Sequence, residues 1–384
     1  MRLLVLFLFV SLQIFSRSTI VFSDSLENKV ITDSVTNINN NKLKYDSSIV
    51  SIKLNLKQLD DMSPMNFIFN DEVLNKIQNY LGRESDLISR MIGVSEYYFP
   101  IIEQQLDRFQ LPLELKYIAV VESSLNPTAR SRSGAVGLWQ FMYPTAQEYE
   151  LNITSYLDDR QDPLKSTIAA CEYFEFLYKM FNDWDLVLAA YNAGPGYINR
   201  LMIKTGSDNY WDLRPELSKE TQWYVPKFIA ISYAMTYYRD YDIQPFSYSS
   251  FSINEIDTTS FREQAPYYLM SDYFCINNET ITYLNPAYKD EILPANSLIT
   301  LPNNIITDVI LNKDSFYEYL SNVYKKVILV NEIMMTYNVV KGDNLSKIAK
   351  QFSLNVLDIK KWNNLSSDFL SVGQKLILYV SDDI

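Results

Sequence analysis

From Asn70 onward the apolar positions recur at the spacing of a helix face: Val73, Ile77 and Leu81, then Leu87, Met91 and Val94, then Ile101, Ile102, Leu106 and Phe109. Pro112, suited to a first helical position, opens the run Leu111–Ser124, in which Leu115, Ile118 and Glu122 share one face. Further helices are predicted over Ser166–Phe181, Trp184–Ala193 and Gln222–Tyr238, with almost no strand signal among them. Near the C-terminus the period changes. Thr336–Val340 reads as a strand, Lys341–Asn344 as a turn, Leu345–Phe352 and Val356–Trp362 as helices, and Lys375–Val380 as a second strand after Gly373-Gln374. The chain is thus read as a large, mainly α domain followed by a small α+β unit of order βααβ.

The N-terminus reads as an address. Arg2 precedes the apolar run Leu3–Phe15, and Val21-Phe22-Ser23 offers a cut before Asp24, so residues 1–23 are taken as a signal peptide and the protein as exported. An uncleaved anchor is the alternative, although Ser11, Gln13 and Ser16-Arg17 interrupt the run. No cysteine lies near this segment, so a lipoprotein anchor is not expected. Residues 24–64 begin with polar, Asn-rich sequence and are expected to be a disordered tether.

Composition narrows the chemistry. The chain of 384 residues has no histidine, which removes Ser-His-Asp and Cys-His nucleophile systems and zinc sites built on imidazole. Two cysteines, Cys171 and Cys275, are too few for a zinc cluster or a disulfide framework, and a single bridge between them stays open. No metal or cofactor is called for. A formal charge of -12 argues against nucleic acid, whose binding rests on Lys and Arg neutralising phosphates.

Against that background Glu122 stands out as one carboxylate at the end of a greasy helix, pointing where the core points. Burial disfavours the charged form and raises a carboxyl pKa, as a general acid near neutral pH requires. A tolerated edge acid is the plain alternative. Downstream, Asn126-Pro127 breaks the helix, Ser131–Gly137 reads as a flexible loop, and Leu138-Trp139-Gln140-Phe141-Met142 is apolar with one amide inside it. Ala189-Ala190-Tyr191-Asn192-Ala193-Gly194-Pro195-Gly196 and Glu220-Thr221-Gln222-Trp223-Tyr224-Val225-Pro226-Lys227 follow.

These blocks, in this order, resemble the lysozyme-like (goose-type/SLT) catalytic domain of the lytic murein transglycosylases, most like the type D enzymes with LysM modules behind it; the resemblance covers residues 65–245. It implies cleavage of the MurNAc-GlcNAc β-1,4 bond of peptidoglycan without water. Glu122 would protonate the leaving oxygen and then take the C6 hydroxyl proton, so that a 1,6-anhydro ring closes while the N-acetyl group stabilises the cationic sugar. The resemblance also gives Ser123 and Ser131 hydrogen bonds around carboxyl and substrate. It gives Gln140, Tyr191 and Asn192 the N-acetyl sugars, Met142 the groove wall, and Tyr224 a hydrogen bond toward Glu122. Many relatives have Pro directly after that Met, whereas here Tyr143 intervenes before Pro144. Other cell-wall enzymes are conceivable partners.

Two carboxylates are the usual need of a glycosidase, and the block around Glu122 supplies one. Asp158, Asp159 and Asp162 are the nearby candidates for a second, and would make the protein a hydrolytic muramidase; the run Asp158–Pro163 resembles the family's acidic loop but reads equally well as a solvated turn. An inactive scaffold is the other alternative. Residues 336–380 resemble a LysM domain, which implies glycan contacts from Gly342, Asp343, Asn344 and Leu345 and from Asn363, Asn364 and Leu365. A shift of 78 residues lays 338–380 on 260–302 with seven identities, among them Asn363 on Asn285, Leu376 on Leu298 and Ile377 on Ile299. Residues 253–302 are therefore expected to be a degenerate LysM-like unit that keeps its core, loses its binding loop to Gln264-Ala265-Pro266, and is followed by a linker over 303–335.

Overall fold

The structure, a computed structural model, describes residues 48–246, 251–323 and 332–381. The signal peptide and the first part of the tether lie outside them. The chain divides into two compact units, Met1–Leu54 and Asn55–Ile384. Residues 48–62 are helical (α1), which corrects the expected tether from residue 48 on. Ile49, Ile52, Leu56 and Leu59 keep the helical period there, and in the second unit Asn55 exchanges hydrogen bonds with Tyr233 and Tyr237. Among the described residues no helix is long and apolar enough to cross a membrane.

The body that follows is helical. α2 (Asp71–Leu81) starts on an Asn70 cap, and α3 (Ser85–Arg108) runs unbroken through Pro100. A short 3-10 turn over Leu113–Leu115, with Leu115 buried, leads into α4 (Lys116–Ser123), in which Tyr117, Ile118, Ala119, Val120 and Val121 are all buried. α5 (Tyr143–Glu148), α6 (Pro163–Phe181), α7 (Trp184–Ala193), α8 (Pro195–Thr205), α9 (Tyr210–Leu213) and α10 (Lys219–Tyr237) complete it. α10 packs on α2, α4 and α7 and is apolar nearly all round, as a helix at the centre must be.

Two βααβ units come next. In the first, β1 (Ile256–Phe261) pairs antiparallel with β4 (Ser297–Pro302) around α11 (Tyr267–Phe274) and α12 (Asn278–Leu284). Two short strands, β2 (Ala265–Pro266) and β3 (Ile292–Leu293), pair beside them. The expected linker after this unit is instead α13 (Asn303–Val323), because Val309, Phe316 and Leu320 complete the unit's core. In the second unit β5 (Glu332–Asn338) pairs with β6 (Lys375–Ser381) around α14 (Leu345–Gln351) and α15 (Val356–Trp362), so the unit begins at 332 rather than 336.

The two units match residue by residue up to the second helix. Cys275 and Ser353 hold the left-handed turn after the first helix, and Asn277 and Asn355 cap the second. Asn285 and Asn363 then clamp the last strand. Beyond that point the gapless shift of 78 fails. Asn285 bonds Thr300, fifteen residues on, while Asn363 bonds Ile377, fourteen on. One extra residue in the first unit moves the alignment, so buried Leu376 and Leu378 correspond to buried Ile299 and Leu301, and the expected Leu376/Leu298 and Ile377/Ile299 pairs are out of register. Leu298 is 61% exposed, the wrong face for a core leucine. Both cysteines are free, Cys171 buried within α6 and Cys275 exposed.

Candidate active site

α4 ends abruptly. Ser124 and Leu125 both take left-handed conformations, which stops the helix one residue after Glu122-Ser123 and turns the chain into the 126–142 loop. The Glu122 carboxyl accepts a 2.5 Å hydrogen bond from the Tyr224 hydroxyl. Burial raises its pKa above the ordinary carboxylate value; Tyr224 and the Lys227 ammonium pull it down, and Glu220 pushes it up again. Glu220, Tyr224 and Lys227 stand at i, i+4 and i+7 on α10, one face of one helix. Lys227 also donates to the Val121 carbonyl at 2.8 Å, tying α10 to the turn that carries Glu122. Tyr224 is buried and its pKa lies well above the usual phenol value, because of burial first and the Glu122 charge second, so it stays a donor.

The loop expected to be flexible is ordered. Arg130 and Val136, and Val136 and Phe141, form backbone bridges, and Ser131 accepts from the Ala135 amide at 2.9 Å. Three side chains fix its inner stretch. Ser123 donates to the Leu138 carbonyl at 2.9 Å, Tyr191 to the Trp139 carbonyl at 2.6 Å, and the Gln140 amide to Gly137 at 2.8 Å. Ser123, Gln140 and Tyr191 thereby hold the 137–139 stretch of the loop through its backbone carbonyls. Ser131 is exposed at the loop tip, and Met142 is exposed ahead of α5. Asn192 accepts from Thr221 at 2.8 Å and donates to Glu220 at 3.4 Å, which joins the end of α7 to the start of α10.

Asp158–Gln161 is a buried structure, not a solvated turn. Arg160 grips Asp158 through two bonds of 2.9 and 2.8 Å and reaches the Gly134 and Phe141 carbonyls at 3.3 Å. Burial alone would raise the Asp158 pKa, but Arg160, Lys289 and Arg130 hold it below the ordinary value. Gly137 lies so close to Arg160 that an added Cβ would stand 1.8 Å from its carbonyl oxygen, so only glycine fits. Asp159 binds Asn152 and Lys165, and Asp162 caps α6. Each aspartate that could have been a second acid is thus engaged in holding backbone. Lys227, Glu220 and Arg160 escape a reading of motifs, although the period of α10 would have pointed to the first two.

In the C-terminal unit, Gly342 takes the positive φ the turn needs and is exposed, as are Asn344 and Asn364. Asn344 caps α14 through the Lys347 amide. Asp343 binds the Tyr337 hydroxyl at 2.7 Å and the Val340 amide at 2.9 Å. Of the other residues expected at a glycan surface, the Leu345 side chain lies in the core, and the Asn363 amide bonds Ile359 and Ile377. Leu365 packs at the core's edge. In the first unit β2 occupies the place of this turn, with Gln264 and Ala265 buried.

Comparison with known proteins supplies a family. The family model described as the transglycosylase SLT domain matches residues 99–213, and the LysM domain model matches residues 337–378. The membrane-bound lytic murein transglycosylase D of Escherichia coli (strain K12) is 30% identical over 325 residues, 80% of this chain and 69% of that one. The cell wall-binding protein YocH of Bacillus subtilis (strain 168) is 50% identical over 40 residues, 10% of this chain and 14% of that one. Among solved structures, the 70 kDa soluble lytic transglycosylase of Escherichia coli matches with 24% identity and a TM-score of 0.31, over 40% of this chain and 26% of that one. By sequence, then, the chain carries an SLT transglycosylase domain and a LysM domain. It belongs to the lytic murein transglycosylase D family.

Proposed function

We propose that this chain cleaves the β-1,4 bond between N-acetylmuramic acid and N-acetylglucosamine in peptidoglycan without water, leaving 1,6-anhydro ends, and that its LysM unit holds it on the wall. The observation that carries the reading is one part-buried acid with a donor on it: Glu122 is bonded to Tyr224, while Asp158, Asp159 and Asp162 are engaged elsewhere. Burial keeps the Glu122 proton available for the glycosidic oxygen. As that oxygen departs with the proton and the C1–O bond breaks, the carboxylate left behind is stabilised by the Tyr224 hydroxyl and the Lys227 ammonium. It is then the base that takes the proton of the C6 hydroxyl, whose oxygen bonds C1. Donor and acceptor are one group, so no second carboxylate and no water enter. Gln140, Met142, Tyr191 and Asn192 would shape the groove, and Ser131 its rim. Gly342, Asp343, Asn344 and Asn364 would form the LysM contact surface. Export to the cell envelope follows from where peptidoglycan lies.

Mass spectrometry of fragments released from purified sacculi tests this. Anhydro-muramic ends support it, products heavier by one water mean a hydrolase, and absence of release means a binding protein.

A further inference from the structure

The segment Pro286–Asp290 of the first βααβ unit sits between three parts of the molecule. Leu157 and Tyr288 form a backbone bridge, the Asp158 amide donates to Ala287 at 2.9 Å, and the Lys289 amide donates to Tyr156 at 2.9 Å. The Lys289 ammonium binds the Thr154 carbonyl and lies near the Asp158 carboxylate, and Tyr97 of α3 meets Tyr283 at 5.7 Å between centroids. On its other side Lys289 contacts the Tyr379 hydroxyl at 3.2 Å. Residues 154–158 are thereby paired from outside, and they lead directly into the Asp158–Arg160 grip. Arg160 in turn holds Gly134 and Phe141, the two ends of the stretch that carries Gln140. In the second unit the corresponding stretch begins at Asn364, which is exposed.

We propose that the first βααβ unit is a part of the catalytic cleft: through Ala287, Tyr288 and Lys289 it sets the position of the 154–160 strip, and through Arg160 the position of the substrate loop 131–142. Its second loop, the counterpart of a glycan-facing loop in the C-terminal unit, is occupied by the catalytic domain and takes no glycan. Lys289 and Arg160 are positioning residues and touch no substrate. The inference rests on the cleft being the glycan site, and the test separates the two.

Binding of a short soluble GlcNAc–MurNAc oligosaccharide is measured on the full chain with Glu122→Gln, and turnover on the chain with Glu122 intact. Lys289→Met should weaken binding and raise KM by between about 3- and 30-fold, with kcat changed much less, since a displaced loop costs substrate alignment. Lys289→Arg should restore most of it, and Tyr379→Phe, which removes the hydroxyl that Lys289 contacts in the second unit, should leave short-glycan KM unchanged. An unchanged KM in Lys289→Met, or a rise that Lys289→Arg does not relieve, overturns the inference. Failure of the parent Glu122→Gln chain to bind the oligosaccharide overturns the reading of the cleft itself.

Discussion

Asn285 and Asn363 make the same three hydrogen bonds, one unit apart. Each side-chain amide donates to the carbonyl four residues back, Ile281 or Ile359, and to a strand carbonyl, Thr300 or Ile377. Each side-chain oxygen accepts from the amide of that same strand residue, at 2.7 Å in both. A short βααβ unit has little core of its own, and this clamp joins its last strand to its second helix. The same device at the same place, with the left-handed turn and the helix cap before it, argues that one unit arose as a copy of the other.

Replacing either asparagine by alanine leaves part-buried strand groups without their partner, at a cost of about 1–3 kcal/mol. Asn363→Ala should therefore abolish sacculus binding along with the C-terminal fold, and Asn285→Ala should lower thermal stability while sacculus binding persists. A pulldown on purified sacculi and a melting curve decide it; loss of sacculus binding in Asn285→Ala alone would contradict the division of roles.

The pH dependence follows from what holds the Glu122 proton. Tyr224 bonds the carboxylate and lowers its pKa against the rise caused by burial. Tyr224→Phe removes a stabiliser of the charged form, so the pKa rises further and the alkaline limb of the rate profile moves to higher pH. The rate should fall about 10-fold or more, because the carboxylate left behind when the glycosidic oxygen departs loses its donor. A limb that stays put or moves to lower pH in the measured profile would count against Glu122 as the titrating acid.

Asp185 gives an independent check away from the site. Burial, with Asp183 beside it, raises its pKa from 3.8 to about 7, against a 3.2 Å bond from the Trp211 indole. A raised folded-state pKa means that the stability from the protonated carboxyl is fully present below the ordinary value of 3.8 and is lost progressively as pH rises to about 7. Asp185→Asn should thus gain melting temperature relative to the parent as pH goes from 5 to 8. A gap that narrows over that range would show the carboxyl to be ionised and paired.

Much of this was legible in the chain. The helices of the body and the C-terminal βααβ unit carry strong periodicity, and Glu122 is conspicuous as the polar residue on an apolar face. The Asp158–Arg160 pair was not legible, since a run of charges gives no sign that a guanidinium has turned inward to grip two distant carbonyls. Nor was the role of Tyr143, read only as a departure from the family pattern. Its hydroxyl donates to the Met334 carbonyl at 2.5 Å, a contact between α5 and β5 across 191 residues that no local pattern encodes. The expected linker misses α13 over 303–323 for a related reason: Val309 and Phe316 are core because β1, α11 and β4 offer them a surface, while residues 324–331 lie outside the described ones. The register slip in the repeat came from one inserted residue, which period-2 strands punish by reversing faces.

Tyr143, Lys289 and the 2.8 Å Lys361–Asp290 pair also seat the C-terminal unit against the rest. Deleting 332–381 should weaken sacculus binding markedly, through lost effective concentration, and leave turnover of short soluble glycans near the parent value. Co-sedimentation with sacculi against a soluble-substrate assay separates the two effects. An equal loss in both would mean that the unit is needed for the cleft.

The most direct test is Glu122→Gln, read by mass spectrometry of the sacculus digest beside a melting curve. The amide is isosteric and has no proton to give, and acid–base assistance alone is worth roughly 10²–10⁴-fold. The account predicts loss of anhydro-muramic products in a chain whose melting temperature is unchanged or raised, since a costly buried acid is gone. Retention of more than about a tenth of the parent activity, well outside that range, would contradict it.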